Sequence, residues 1–153
     1  METQTIHVVE PNNEDLIALI AKLDDYLYSL YPADEVFGVD LEGAEVNEMV
    51  FVLAYWDGMA AGCGAYRPLD AQAAELKRVF VDPSFRNKGI ASSILSFLEQ
   101  EAVRAGFTSL LLETGPMQPE SIALYKKFGF IDIAPFGEYA DCPSSICMEK
   151  KLL

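Results

Sequence analysis

The chain has 153 residues, 51% of them apolar and 23% charged, which is the composition of a single folded domain with a real core and excludes a disordered chain. The net charge of −13 is uneven: residues 1–60 hold 13 acids and one lysine, Lys22, whereas residues 61–153 hold 11 acids and 10 basic side chains. So acidic a surface excludes a nucleic-acid binder with a duplex-wide phosphate footprint, but not a local anion site in the balanced half.

Thr5–Val9 reads as a short strand of β-branched residues. Asn12 or Asn13 then offers a helix cap, with Glu14 and Asp15 in the first turn, where the helix dipole favours acids. Leu16, Ile20, Leu23, Leu27 and Leu30 follow on one helical face, and Pro32 ends the run. A short second helix is expected around Val39–Ala44. Met49–Trp56 and Met59–Tyr66 are strands joined by the hairpin signal Asp57-Gly58. Gly62 and Gly64 in the second of them predict a close backbone approach. Glu75–Val81 is the third strand of this meander. A helix runs from about Gly89 to Ala105, closed by Gly106, and Thr108–Glu113 is an apolar strand covered on both faces. A helix at Glu120–Phe128 and two strands, Phe130–Ala134 and Ser145–Lys150, complete one α/β domain over 1–153 with a mixed sheet.

Three cysteines, Cys63, Cys142 and Cys147, lack a framework spacing and predict reduced thiols in a cytoplasmic protein. Met1–Glu10 lacks the basic-then-apolar order of a signal peptide, and Met49–Trp56 is too short to span a bilayer, so no membrane partner is expected. Cys142 and Cys147 have no partner His nearby, and no metal site is expected.

The most informative segment is Val79–Ser92, where a strand stops, a loop turns and a helix begins at Gly89. Backbone N–H groups at a helix start are unpaired and the dipole adds positive potential, so Arg86, Asn87, Lys88, Gly89, Ile90, Ala91 and Ser92 form a candidate anion cradle. Taken alone, the segment is equally well an ordinary strand-to-helix turn.

Val81-x-Pro83-x-x-Arg86-x-x-Gly89-x-Ala91 resembles motif A of the GNAT acetyltransferases, V-x-P-x-x-R-x-x-G-x-G/A. Ala123-Leu124-Tyr125 through Gly129-Phe130 is similar to that family's A-x-x-L-Y-x-x-x-G-F, and the element order is the family's. The resemblance spans essentially the whole chain. It implies a GNAT fold: a central twisted mixed sheet of about seven strands, flanked by about four helices and splayed between strands four and five. It further implies acetyl-CoA as cosubstrate, a small primary amine as acceptor, and, as is common in the family, a homodimer. The pyrophosphate would lie on the Asn87–Ala91 backbone, and the pantetheine arm would pair with Val79 and Val81. A bulge would aim the Val79 N–H at the thioester carbonyl, an oxyanion-hole donor of a kind worth roughly 3–4 kcal/mol. Gln118 stands where an Asn often contacts the cofactor.

Tyr125 is the candidate general acid toward the leaving thiolate, or else a core aromatic beside Ile122 and Leu124. Glu75 is a candidate general base, an anchor for the acceptor amine, or a structural partner of Lys77, which strand alternation puts on the same face. Ala74–Arg78 resembles the A-E-L-K-R of small-molecule members whose acceptors are often amino acids. Arg67, Lys77 and Arg78 then become a candidate carboxylate clamp, with solvated surface charge the competing reading for Arg67. Tyr28, Tyr31, Phe37 and Tyr139 are candidate walls of the acceptor site or packing residues. The same fold would also serve a non-catalytic acyl-CoA sensor or an enzyme acetylating protein N-termini.

Overall fold

The computed structural model describes residues 3–36 and 44–152. Strand β1 (Gln4–Val9) leads into helix α1 (Glu14–Leu30). Asn13 caps α1 by accepting from the N–H groups of Asp15 and Leu16 at 2.9 and 3.1 Å. Leu16, Leu19, Ile20 and Leu23 form its buried face, and Tyr31 leaves in an extended conformation before Pro32. Most of the short helix expected at Val39–Ala44, and Phe37, lie outside the described residues.

Strands β2 (Val50–Trp56), β3 (Met59–Pro68) and β4 (Ala73–Val81) form an antiparallel meander. Asp57 and Gly58 turn its first hairpin with φ of 50° and 81°, two left-handed residues in succession as a type I′ turn requires. Helix α2 (Ile90–Arg104), strand β5 (Ser109–Thr114), helix α3 (Pro119–Lys127) and strands β6 (Ile131–Ile133) and β7 (Ile146–Lys151) follow. The seven strands form one sheet in the order β1-β2-β3-β4-β5-β7-β6, in which only β4 and β5 pair in parallel. Among the described residues there are three α-helices and four short 3₁₀ turns. None of these helices is long and apolar enough to cross a membrane.

Two features of β4 shape the site. It pairs with β5 only from Ala73 to Glu75, opposite Ser109 to Leu111, although both strands continue beyond. The sheet therefore opens into the expected splay. Toward β3, the register skips Arg78 and Val79, and Arg78 takes a φ of 58°. That is a β-bulge, and one extra residue reverses which parity faces which layer. Before it, Glu75 and Lys77 share a face with Arg67 and Ala65; after it, Phe80 shares that face with Cys63.

One sheet face packs on α1 through Leu16, Leu19, Ile20, Leu23, Phe51, Leu53, Cys63 and Phe80. The other packs on α2 through Val52, Ala61, Ile90, Ile94 and Leu98, with Tyr125 and Phe130 continuing that core. Gly62 and Gly64 are what let α2 approach β3. A Cβ on Gly64 would lie 2.8 Å from Ile94 Cγ2 and 3.0 Å from Leu98 Cδ1. Gly64→Val is expected to overpack this contact and lower stability by about 2–3 kcal/mol, read as a lower urea midpoint.

Candidate active site

The cradle begins where β4 ends. Asp82 caps the turn Pro83–Phe85 by accepting from Ser84 N at 2.9 Å, and it also takes an ion pair from Lys22 of α1 at 2.5 Å. Lys22 and the Ser84 amide hold its carboxyl below the ordinary range. Arg86 folds back to donate from Nε to the Val81 carbonyl at 3.1 Å. Asn87 and Gly89 both adopt left-handed φ, 66° and 76°, on either side of Lys88, whose ammonium lies 5.0 Å from the Trp56 ring centroid. Gly89 is the N-cap of α2, and no side chain caps this helix. Exposed left-handed backbone leading into an uncapped helix start suits a multiply charged anion.

From this cradle a channel runs along the open edge of β4, walled by Val79, Val81, Ala91, Gln118, Leu124 and Tyr125. It meets a second, deeper cleft lined by Tyr31, Glu35, Glu75, Lys77, Arg78 and Glu113. Val79, Gln118 and Tyr125 belong to both. Tyr125 is buried, edge-on to Phe130 with ring centroids 5.9 Å apart. Burial, and secondarily the Glu113 charge, push its phenol up to about 12, so it keeps its proton throughout the neutral range.

The basic residues grouped in the sequence divide in the fold: Arg67 and Lys77 meet at Glu75, and Arg78 turns to Asp24 of α1. Arg78, with 2% of its side chain exposed, gives two N–H groups to Asp24 Oδ1 of α1 at 2.5 and 2.7 Å. Arg67 donates from Nε to Glu75 at 2.9 Å and from a terminal nitrogen to Glu138 at 2.8 Å. Lys77, with 6% exposed, donates to Tyr139 Oη at 3.1 Å and lies 4.0 Å from Glu75. Burial lowers its pKa, against the opposing pull of Glu75. Glu75 is 1% exposed, and both its oxygens are engaged: one accepts from Arg67, the other from the Tyr139 hydroxyl. Burial and Glu75 together raise that hydroxyl's pKa. Asp24→Asn, which leaves the Arg78 guanidinium buried without its counter-charge, is expected to lower stability by about 2 kcal/mol. The same change at exposed Asp25 is expected to have little effect, and chemical denaturation compares the two.

Tyr31 stands where α1 ends and rests against the loop after β5. Its hydroxyl accepts from Met117 N at 3.1 Å and donates to Gln118 Oε1 at 3.3 Å. A Cβ on Gly115 would fall 2.0 Å from that hydroxyl oxygen, so a glycine is required there. Tyr139 lines the cleft, whereas Tyr28 is 56% exposed and does not line it. Ile90 is buried in the α2 core, and Ser92 is half-buried on the first turn of that helix.

Glu113 is the residue that sequence reasoning passed over. It ends an apolar run on β5, accepts from Ser145 Oγ at 2.9 Å, and lines the cleft. Burial raises its carboxyl to about 7, with Glu75 and Glu138 adding to the rise and Ser145 and Lys77 opposing it.

The chain resembles known proteins in sequence and in fold. A family model described as "Acetyltransferase (GNAT) family" matches residues 14–130. An "IAA acetyltransferase" from Azospirillum brasilense is 41% identical over 99% of this chain and 100% of its own length. A solved structure from Klebsiella pneumoniae, described as a "putative acyl-CoA N-acyltransferase", superposes with a TM-score of 0.87 at 32% identity, covering 99% of each chain. A GNAT acetyltransferase of Elizabethkingia anophelis, solved with acetyl-CoA bound, shares the fold at a TM-score of 0.70 and 20% identity, over 97% of this chain and 98% of that one. With its splayed β4 and β5 and its uncapped α2 start, this chain belongs to the GNAT acetyltransferase family and is an acyltransferase.

Proposed function

We propose that the protein transfers the acetyl group of acetyl-CoA to a primary amine of a small molecule, by direct attack within a ternary complex. The observation that carries this reading is Tyr125, a proton-bearing phenol that walls both the channel and the deeper cleft. The pyrophosphate lies over Asn87–Ala91, with Arg86 and Lys88 beside it, and Ile90 and Ser92 complete the first turn of the helix that receives it. The pantetheine arm follows Val79 and Val81, the β4 segment that β5 leaves unpaired. Gln118, whose carbonyl oxygen is held by Tyr31, turns toward the same arm.

At the junction, the bulge at Arg78 sets the Val79 N–H apart from the β3 register and makes it the donor to the thioester oxygen as charge builds there. Tyr125 donates to the leaving sulfur. Glu75 is a structural and anchoring acid, because its oxygens hold Arg67 and Tyr139. Arg67 and Arg78 donate directly to acids and Lys77 stands 4.0 Å from Glu75, so Lys77 is the cation best placed for a carboxylate on the acceptor, as an amino acid would carry. Tyr31 and Tyr139 wall the acceptor. A short hydrogen bond from Ser144 to Glu35 ties the loop before β7 to the segment after α1, which favours a small acceptor over a long peptide.

Thiol release from acetyl-CoA with pooled amino acids, polyamines, aminoglycosides and peptide N-termini tests the reading. Turnover by a small amine supports it. Tight acetyl-CoA binding without turnover of any amine leaves a sensor, and turnover of peptide N-termini alone leaves a protein acetyltransferase.

A further inference from the structure

An amine acceptor arrives as an ammonium and cannot attack until it loses a proton. The sequence offers Glu75 for that task, but both Glu75 oxygens accept hydrogen bonds inside the protein. A base needs an accessible oxygen and a place beside the reacting atoms. Glu113 is half-buried, and it lines the cleft together with Val79 and Tyr125, the groups read above as acting on the thioester. The last register pair between β4 and β5 is Glu75 with Leu111. Two residues further along each strand, on the same faces, stand Lys77 and Glu113, so Glu113 lies on the β5 wall just where the sheet has opened. Among the described residues it accepts one hydrogen bond, from Ser145 to Oε2. Its charge is close enough to Tyr125 to raise that phenol's pKa.

Resting on the acetyltransfer reading above, we propose that Glu113 is the general base that deprotonates the acceptor ammonium. One ammonium proton passes to the Glu113 carboxylate. The freed nitrogen lone pair forms the C–N bond, and the C–S bond breaks. The sulfur takes the Tyr125 proton, the second proton lost from nitrogen restores the phenol, and the Glu113 proton leaves to solvent. No other co-reactant is needed.

The groups around Glu113 set where it titrates. Glu75 and Lys77 face it from β4, Tyr125 from α3, Glu138 and Tyr139 from the turn before β7, Cys147 from β7 itself, and Tyr31 and Glu35 from the α1 side. Burial and the neighbouring acids outweigh Lys77 and Ser145, which leaves the carboxyl titrating at about 7.

The test is the pH profile of kcat/KM with an amine that turns over in the pooled assay. The wild type is expected to lose activity on the acid side with a midpoint at about 7. In Glu113→Gln, kcat falls by about 100-fold or more, the limb disappears, and the remaining rate climbs with pH as the free amine accumulates; acetyl-CoA affinity stays near wild type. Ser145→Ala removes a hydrogen bond that favours the ionised carboxylate, so it moves the limb to higher pH, and it reports even if the first variant folds poorly. A wild-type profile in Glu113→Gln, or an unmoved limb in Ser145→Ala, overturns the assignment. Absence of turnover in the wild-type protein sinks instead the acetyltransfer reading on which it rests.

Discussion

Tyr125→Phe is expected to lower kcat by about 100-fold or more while leaving acetyl-CoA affinity within about twofold. The ring itself belongs to the core, packed on Phe130 with only 9% of the residue exposed, and phenylalanine keeps that packing. No hydrogen bond from the Tyr125 hydroxyl to another described residue is lost, so the folded state gives up little. What disappears is the proton offered at the junction of the channel and the deeper cleft. A thiolate expelled without it carries its full charge into an apolar wall, where charge is most costly. Since the phenol titrates at about 12, the wild-type enzyme should show no loss of activity from this group up to about pH 9. Thiol release across pH, alongside calorimetric binding of acetyl-CoA, separates the two effects. Wild-type turnover in the variant would remove Tyr125 from the chemistry and leave it a packing residue.

Local chemistry was legible in the sequence wherever a residue acts on its own neighbours. Asn13 caps the helix that follows it, and Asp57-Gly58 turns the hairpin around it. Gly62 and Gly64 signalled a close approach, although the sequence did not say that Ile90, Ile94 and Leu98 would supply it. Strand alternation put Glu75 and Lys77 on one face, and they lie 4.0 Å apart. The same alternation fails one residue later, because the bulge at Arg78 turns that side chain toward Asp24. Contacts between distant segments were not legible. Arg67, Lys77 and Arg78 read as one basic group, yet the fold divides them: Arg67 and Lys77 reach Glu138 and Tyr139 on the turn before β7, and Arg78 reaches Asp24 on α1. Glu113 reads as the polar end of an apolar strand. It becomes a half-buried acid lining a cleft only because β5 separates from β4 after Leu111 and because Ser145, far along the chain, comes back to meet it.

The cradle makes the second large prediction. Gly89→Asp is expected to weaken acetyl-CoA binding by about 100-fold, through two effects that can be separated. The first is conformational: Gly89 holds a φ of 76°, which disfavours most side chains by roughly 1–2 kcal/mol, though Asn and Asp tolerate it best. The second is electrostatic: the carboxylate would stand at the α2 start, where the open N–H groups and the helix dipole otherwise favour the anion. A Cβ at Gly89 meets nothing within 4 Å, so the substituted chain folds without a clash. Gly89→Asn carries nearly the same shape and no charge, and the difference between the two variants isolates the repulsion. That difference should shrink as salt is raised, because the site is exposed and screening acts on exposed charges. Calorimetry at low and high salt measures it. Equal acetyl-CoA affinity in the wild type and both variants would place the pyrophosphate elsewhere and detach the α2 start from the function.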